Sequence, residues 1–342
     1  MAKIITICDR AQWVGYIKRA AESDFYHTWH YHSLDTGGEP ILFISEILDD
    51  FIAFPFLKRA IEGTSYFDLS CVYGYSGPVS NLKMGEIDDK LIEHFVIELK
   101  TFFEQEKVVS VFSRLHPFYN QTRLLKAFGG VHSNGKTVYI DLTTDIETQR
   151  KKYQLTTRVS IRKLRDNKKF SFAIEKGPLA VAKFKAVYTE SMKRIGANES
   201  YFFNEEYFTE IVNTSEYDAR IVMIYDQNIL VSSSLVMLTN GILQAHLIGT
   251  NTDYIKLSPT RLMVDEIAKM GRESGAKYYN LGGGVGFKED NIFNWKLCFT
   301  DNTLDFNTWR YIANGPVYQH LLNKKNLVEA DNIDFFPLYR YS

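Results

Sequence analysis

What most restricts the fold of this 342-residue chain is the order of its strand-like and helix-like stretches, because a similar order runs through twice. In the first half a strand pattern at residues 4–7 precedes a helix over 9–21 headed by Asp9, a hairpin-like pair at 41–47 and 51–57, and a strand at 66–71. Tyr73-Gly-Tyr-Ser-Gly-Pro78 reads as a loop, since two glycines and a proline prevent regular structure. Leu91, Ile92, Phe95, Leu99 and Phe102 have helical spacing within 87–103, a strand covers 108–115, and an Asn134-Gly135 turn leads into a strand at 136–142. The second half gives a strand at 170–175, helices at 179–195 and 204–213, and strands at 220–226, 229–238 and 242–249. A helix at 258–273, a strand at 277–281, a glycine-rich loop and a short helix near 293–299 follow, and a last helix is predicted over 309–325. Residue identity between the halves is too low for a sequence repeat, so the duplication rests on element order alone. The expected fold class is α/β (α+β): two units with mixed central sheets and a cleft between them. Residues 1–144 with 306–342 form the first unit, whose final helix returns to it, and 145–305 form the second.

Forty Lys+Arg against 41 Asp+Glu leave a formal charge of −1, which excludes a strongly cationic nucleic-acid coat and an acidic tail protein. That balance hides one basic stretch, 150–169, with nine Lys/Arg and a single Asp. Its attraction would be for tRNA, a nucleotide diphosphate or anionic lipid; equally, it reads as a solvated helix face. Cys8, Cys71 and Cys298 are far apart, unlike the paired cysteines of small secreted domains. No stretch has the apolar length of a signal peptide core or a membrane span, so a cytoplasmic location is expected. Aromatic residues make up 14% of the chain, and their exposed share is expected around 25–31, 73–75 and 278–279.

Several positions carry chemistry by residue type. Gly282-Gly-Gly-Val-Gly286 has the wrong spacing for a dinucleotide fingerprint. Gly282, Gly283 and Gly284 either allow a tight strand-to-helix turn or bring backbone N–H groups to an oxyanion. Lys296, in an otherwise apolar short helix behind Trp295, is a cation able to stabilise a developing oxyanion, or else sits at a solvent edge. His246, on a strand, is suited to receive a proton near neutral pH or to a structural hydrogen bond. Ser258-Pro259 forms a capped helix start able to hold one phosphate, with Arg261 a turn on, although 253–261 lacks the glycines of a pyrophosphate loop. His27, His30 and His32 have no companion ligands, so no metal site is expected. No Ser/His/Asp or Cys/His spacing argues for a covalent nucleophile.

Asp68-Leu-Ser-Cys-Val-Tyr-Gly-Tyr-Ser-Gly-Pro78, Arg114-Leu-His-Pro117, Asp141-Leu142, Arg158-x3-Arg162-Lys163, Tyr279-Asn-Leu-Gly-Gly-Gly284, Asp290 and Trp295-Lys296-x2-Phe299, taken in order, resemble the Fem aminoacyltransferases and their polysaccharide-associated relatives. The resemblance implies tandem GNAT-like (N-acetyltransferase-like) domains, with the transfer site in the second and a functional basic residue at Lys296. It places Arg194, Tyr201 and Tyr207 where relatives gather acceptor-binding residues. It makes the segment with Tyr26, Trp29 and Tyr31 an aromatic lip of the cleft that stacks on or covers an acceptor, and Tyr73 and Tyr75 are expected to face the same cleft. The helical arm that some Fem proteins insert has no counterpart here.

The implied activity is N-acyl transfer, by direct amine attack, of an aminoacyl or acyl group onto a free amine of a cell-envelope precursor. That acceptor is a peptidoglycan stem peptide or an amino-sugar nucleotide or polysaccharide unit. No tightly bound cofactor is expected; aminoacyl-tRNA or acyl-CoA serves as co-substrate. The implied partners are the precursor, tRNA, and a lipid-linked substrate met peripherally, but not DNA. A non-catalytic glycan- or nucleotide-binding module on the same fold is the alternative, and an RNA-binding protein using 150–169 is a third reading.

Overall fold

The computed structural model describes residues 2–167, 169–327 and 333–341; Lys168 of the basic stretch lies outside them. The chain divides into two compact units, one of Met1–Gly135 with Asp305–Ser342 and one of Lys136–Leu304.

The strands of the first unit are β1 (Lys3–Thr6), β2 (Glu39–Ile47), β3 (Asp50–Ala60), β4 (Phe67–Ser70), β5 (Val79–Ser80), β6 (Val108–Arg114) and, from the far end of the chain, β13 (Thr303–Ile312). They run in the order β1-β2-β3-β4-β6-β13, with β5 beside β3. Every step between neighbours is antiparallel except β4 to β6. The helices are α1 (Arg10–Arg19), α2 (Trp29–Ser33), α3 (Asp89–Gln105), α4 (Thr122–Leu125) and α11 (Gly315–Lys324). α3 begins where the Asp88 carboxylate accepts the Leu91 N–H at 2.8 Å, and its stripe Leu91, Phe95, Leu99 and Phe102 is buried with Phe43, Phe54 and Phe56 of the sheet.

The second unit has the same plan. β7 (Val131–Asp141), β8 (Phe170–Glu175), β9 (Asp218–Asp226), β10 (Ile229–Thr239), β11 (Ile242–Thr250) and β12 (Tyr278–Gly282) run in the order β7-β12-β11-β10-β9-β8. Here the single parallel step is β11 to β12. The helices are α5 (Ile146–Lys152), α6 (Leu155–Asp166), α7 (Pro178–Arg194), α8 (Glu205–Val212), α9 (Pro259–Glu273) and α10 (Asn291–Lys296). A long helix precedes the parallel step in both units, α3 in one and α9 in the other, so the duplication read from element order is present in topology. No helix among the described residues is long and apolar enough to cross a membrane.

Three expectations are corrected. Asn134 and Gly135 lie inside β7, and no turn breaks the strand there. The helix expected over 309–325 is a strand as far as Ile312, because Trp309 is fully buried and its indole N–H donates to the Gly129 carbonyl at 2.9 Å; helix resumes only at Gly315, behind the Asn314 cap. The aromatic lip is core: Tyr26, Tyr31 and Tyr75 are buried, with Tyr75 edge-on to Tyr26, His116 and Phe306. The Tyr26 ring presses so closely on Gly74 that a Cβ there would stand 2.0 Å from it. Trp29 is half-buried, its N–H bonded to the Ile7 carbonyl at 2.7 Å and its face covered by Arg10. Tyr73 alone of these is exposed.

The histidines of this region are also interior. His27 Nδ1 accepts the Asp24 N–H at 3.0 Å, and His32 Nδ1 donates to the Thr28 carbonyl at 2.9 Å. His116 and Asp24 form a fully buried pair at 2.8 Å. Burial, aided by His116, lowers His27 to about 3, and burial lowers His32 to about 4. Near the C-terminus, the buried Asp68 carboxylate accepts from Arg59 at 2.7 Å, Tyr339 at 3.0 Å and Arg340 at 2.5 Å, pinning the last described residues to β4.

Two outcomes follow from the buried charges. Both histidines have folded pKa values below the unfolded value of about 6.5, so their contribution to stability is complete above that pH and is lost as pH falls through it toward 4, at up to about 1.4 kcal/mol per pH unit each. Urea unfolding between pH 7 and 5 should show this loss, and His32→Gln should reduce its slope. Asp68→Ala, which strands two arginines, should destabilise the chain by about 3 kcal/mol in the same assay.

Candidate active site

In the second unit, β11 and β12 share only three rungs, Ile242–Tyr278, Leu243–Tyr279 and Gln244–Asn280. Past the third rung each strand carries one residue too many for its outer neighbour. Leu235 pairs with Leu247 and Val236 with Ala245, which makes His246 a bulge; Asn280 pairs with Tyr139 and Gly282 with Val138, which makes Leu281 another. Bulges bend strands and re-aim side chains, and they concentrate beside active sites. His246 and Gly282 both stand two residues beyond the last rung, about 6–7 Å along strands that no longer pair with each other.

A buried amide network fixes this parting. The Asn280 side chain donates to Gln244 Oε1 at 2.9 Å and accepts from the Thr137 hydroxyl and the Gly282 N–H, each at 2.9 Å. Gly282 has φ +76°, a left-handed conformation that favours glycine, and a Cβ there would lie 3.4 Å from the Lys296 ammonium. Gly284 has no room for a side chain: a Cβ would fall 2.1 Å from the Lys288 carbonyl oxygen and 2.3 Å from Asp290 Oδ1. Asp290 caps α10 through the Phe293 N–H at 2.9 Å and holds the loop through the Val285 N–H at 2.8 Å, and these two donors keep its carboxyl below the usual range. Of the two alternatives for the glycines the structure shows the turn, and the Gly282 N–H is already spent on Asn280.

The cation beside this turn is Lys296, at the end of α10. Its Nζ donates to the Gly283 carbonyl at 2.5 Å. Burial lowers its pKa from 10.5 to about 8, with Asp290 opposing the shift. The half-buried Trp295 packs edge-on to Phe299 at 5.1 Å and braces the helix. A desolvated ammonium beside a glycine turn can bind a developing oxyanion more strongly than a solvated one.

His246 is buried, with Nε2 3.3 Å from the Tyr207 hydroxyl. Ser258 is the residue before α9, but it is left-handed (φ 52°) and its side chain makes no cap, contrary to the expected capped start. Arg261, one turn in, has a solvent-inaccessible Nε with no hydrogen-bond partner among the described residues. Arg194 is a brace: it donates to the Thr250 carbonyl at 2.9 Å and to Thr252 Oγ1 at 3.0 Å, tying the end of α7 to the end of β11. Tyr201 closes a 3-10 turn, Glu199–Tyr201, after α7. Of the basic stretch, Arg150 grips the buried Asp265 with two bonds of 3.0 and 2.7 Å, and Arg165 binds both Asp265 and Glu266. Burial pushes the Asp265 carboxyl up, but the two guanidiniums outweigh it and hold it below the usual range. Arg158, Arg162 and Lys163 remain exposed on α6.

A cavity of about 470 Å³, lined by Lys136, Lys152, Glu289, Phe293, Leu297 and Asp301 among others, lies against α10 and includes neither Lys296 nor His246. Among the described residues no three His, Cys, Asp or Glu side chains are grouped as metal ligands. Asn280 and Gln244 carry this arrangement without a role expected from the sequence, where a polar residue inside an apolar strand run was the available signal; Tyr207 and Asp290 were expected as an acceptor-binding position and a motif residue.

Residues 151–296 match the family model of the acetyltransferase (GNAT) domain, a match that falls within the second unit. No curated protein sequence matches the chain. Among solved structures the chain is similar to FemX, with 14% identity, a TM-score of 0.69 and coverage of 94% of this chain and 99% of that one. It is also similar to a conserved protein of unknown function from Bacteroides thetaiotaomicron VPI-5482 (13%, 0.59, 91% and 99%) and to a DUF2156 domain from Agrobacterium fabrum (16%, 0.56, 93% and 96%). What these structures share with the chain is the fold, which is Fem/GNAT-like as the motifs implied. If the glycine turn sets the cation, Gly284→Ala should displace Asp290 from its cap and cost about 2 kcal/mol in urea unfolding.

Proposed function

We propose that this chain, whose second unit matches the GNAT acetyltransferase domain, transfers an aminoacyl or acyl group from a phosphate-bearing donor onto a free amine of a cell-envelope precursor. The single observation that carries the reading is the placement of Lys296, a part-buried ammonium that donates to the Gly283 carbonyl at 2.5 Å at the edge of the parted strands, where burial lowers its pKa to about 8. The amine attacks the acyl carbonyl, and the tetrahedral oxyanion takes the Lys296 charge in place of its weaker partner, the Gly283 carbonyl. A cation already desolvated there needs little reorganisation when the negative charge appears.

The start of α9 supports a phosphate-bearing donor. It is the N-terminus of a 15-residue helix, its Ser258 side chain makes no cap, and the buried Arg261 Nε has no hydrogen-bond partner among the described residues. Aminoacyl-tRNA and acyl-CoA both carry phosphate, which a helix N-terminus favours. The exposed Arg158, Arg162 and Lys163 suit the longer polyanion, while the missing glycines of 253–261 tell against ordinary CoA binding. An envelope acceptor rests on the fold shared with FemX and on the motifs.

Purified protein offered labelled aminoacyl-tRNA or acyl-CoA, each with a pool of amine-bearing envelope precursors, should label an acceptor from one donor. Lys296→Met should then reduce turnover by at least about 100-fold at unchanged thermal stability. Because Lys296 loses its proton near pH 8, wild-type turnover should decline above that pH. Near-normal transfer by Lys296→Met would refute the reading.

A further inference from the structure

We propose that the Tyr207 hydroxyl, and not His246, is the group that meets the transferred proton, and that His246 acts behind it as the acceptor at the inner end of a two-residue relay. The inference rests on the acyl-transfer reading above and assigns its proton path.

His246 is poorly placed to touch a substrate amine. It is 8% exposed, its Nδ1 is shut off from solvent, and its Nε2 faces the Tyr207 hydroxyl at 3.3 Å. Tyr207 is only half-buried, so the phenol is the more accessible end of the pair. Its position is set by its surroundings: the Asn204 side chain caps α8 by accepting the Tyr207 N–H at 2.8 Å, and the ring stacks on Phe203 at 4.2 Å with 14° between planes and meets Phe208 edge-on at 5.6 Å. The bulge in β11 is what turns His246 toward that phenol. A contact of 3.3 Å is long for a proton-transfer bond, as apo catalytic contacts commonly are before charge develops. The other titratable groups here are Tyr217, whose pKa is raised by burial and then by Tyr207 and Glu216, and three carboxylates of α8 itself: Glu206, Glu210 and Glu205, the last paired with Lys185.

The amine lone pair forms the new bond to the acyl carbon, and the carbonyl π pair moves onto oxygen beside Lys296. The ammonium proton passes to the Tyr207 oxygen as the phenol proton moves to His246 Nε2, leaving a neutral tyrosine and an imidazolium. The C=O then re-forms, the bond to the leaving oxygen or sulfur breaks, and the proton returns through the same pair to that atom. Neutral His246 must therefore carry its proton on Nδ1 and accept at Nε2.

Tyr207→Phe tests this while keeping the stack on Phe203. Nitrogen-15 NMR of the wild-type imidazole should show His246 as the Nδ1–H tautomer with a hydrogen-bonded Nε2, and Tyr207→Phe should shift the Nε2 resonance. With whichever donor the wild type uses, Tyr207→Phe should lower kcat by roughly 10²–10⁴-fold with KM near the wild-type value and an unchanged thermal transition. An Nε2–H tautomer in the wild type, an unmoved Nε2 resonance, or an unchanged kcat would each overturn the relay. Failure of the acyl-transfer reading looks different: the wild-type protein would turn over no donor, or Lys296→Met would turn over normally, whatever the imidazole resonances show.

Discussion

The organisation of the second unit hangs on one amide side chain. Asn280 ends the pairing of β11 with β12, bonding Gln244 across the last rung, Thr137 on the far side and the N–H of Gly282 ahead of it. Every atom of that amide is spent inside the protein, where an unpaired polar group would cost roughly 1–3 kcal/mol, so the strand end has little freedom to slide. The flanking bulges at His246 and Leu281 follow, and the two strands leave the last rung on separate courses. Gly282 turns, Gly284 fits under Asp290, Asp290 starts α10, and α10 ends on Lys296, whose ammonium returns to the Gly283 carbonyl.

The first unit shows what the same topology does when that opening is filled. Its parallel pair β4 and β6 is prolonged by a bridge between Ser76 and Leu115, with the Ser76 N–H donating to the Arg114 carbonyl at 2.6 Å. Tyr75, Tyr26 and His116 occupy the space beyond, and Gly74 exists to admit the Tyr26 ring. Duplicated folds thus diverge in their loops, one closed by aromatic packing and one left with a glycine turn and a cation. That contrast, with the GNAT family model that falls within the second unit, is what the proposal of acyl transfer in that unit rests on.

Element order was readable because strand and helix periods are local properties, and the bounds of α3 and β2 lie within two residues of expectation and those of β3 within three. Lys296 and the glycines stood out because a lone cation in an apolar helix and a glycine run are rare. The rest depended on distant partners. Asn134-Gly135 has turn chemistry, yet β7 continues through it; Thr303–Ile312 is strand because Trp309 finds the Gly129 carbonyl 180 residues away in sequence. The aromatic residues of 25–31 and 73–75 mark an exposed lip by composition alone, whereas burial is a property of what covers them. Arg150 and Arg165 read as a basic surface until Asp265 is seen to hold both. The contact of Tyr207 with His246 joins α8 to β11, which no local pattern records.

The central claim is that the donor binds in the second unit, where β11 and β12 part. Amide hydrogen exchange with and without the donor that supports turnover tests it most directly. Protection should appear in residues 245–250, 258–262 and 282–286, with β4, β6 and the loop 73–78 unchanged. Protection confined to the first unit, under conditions where transfer proceeds, would contradict it.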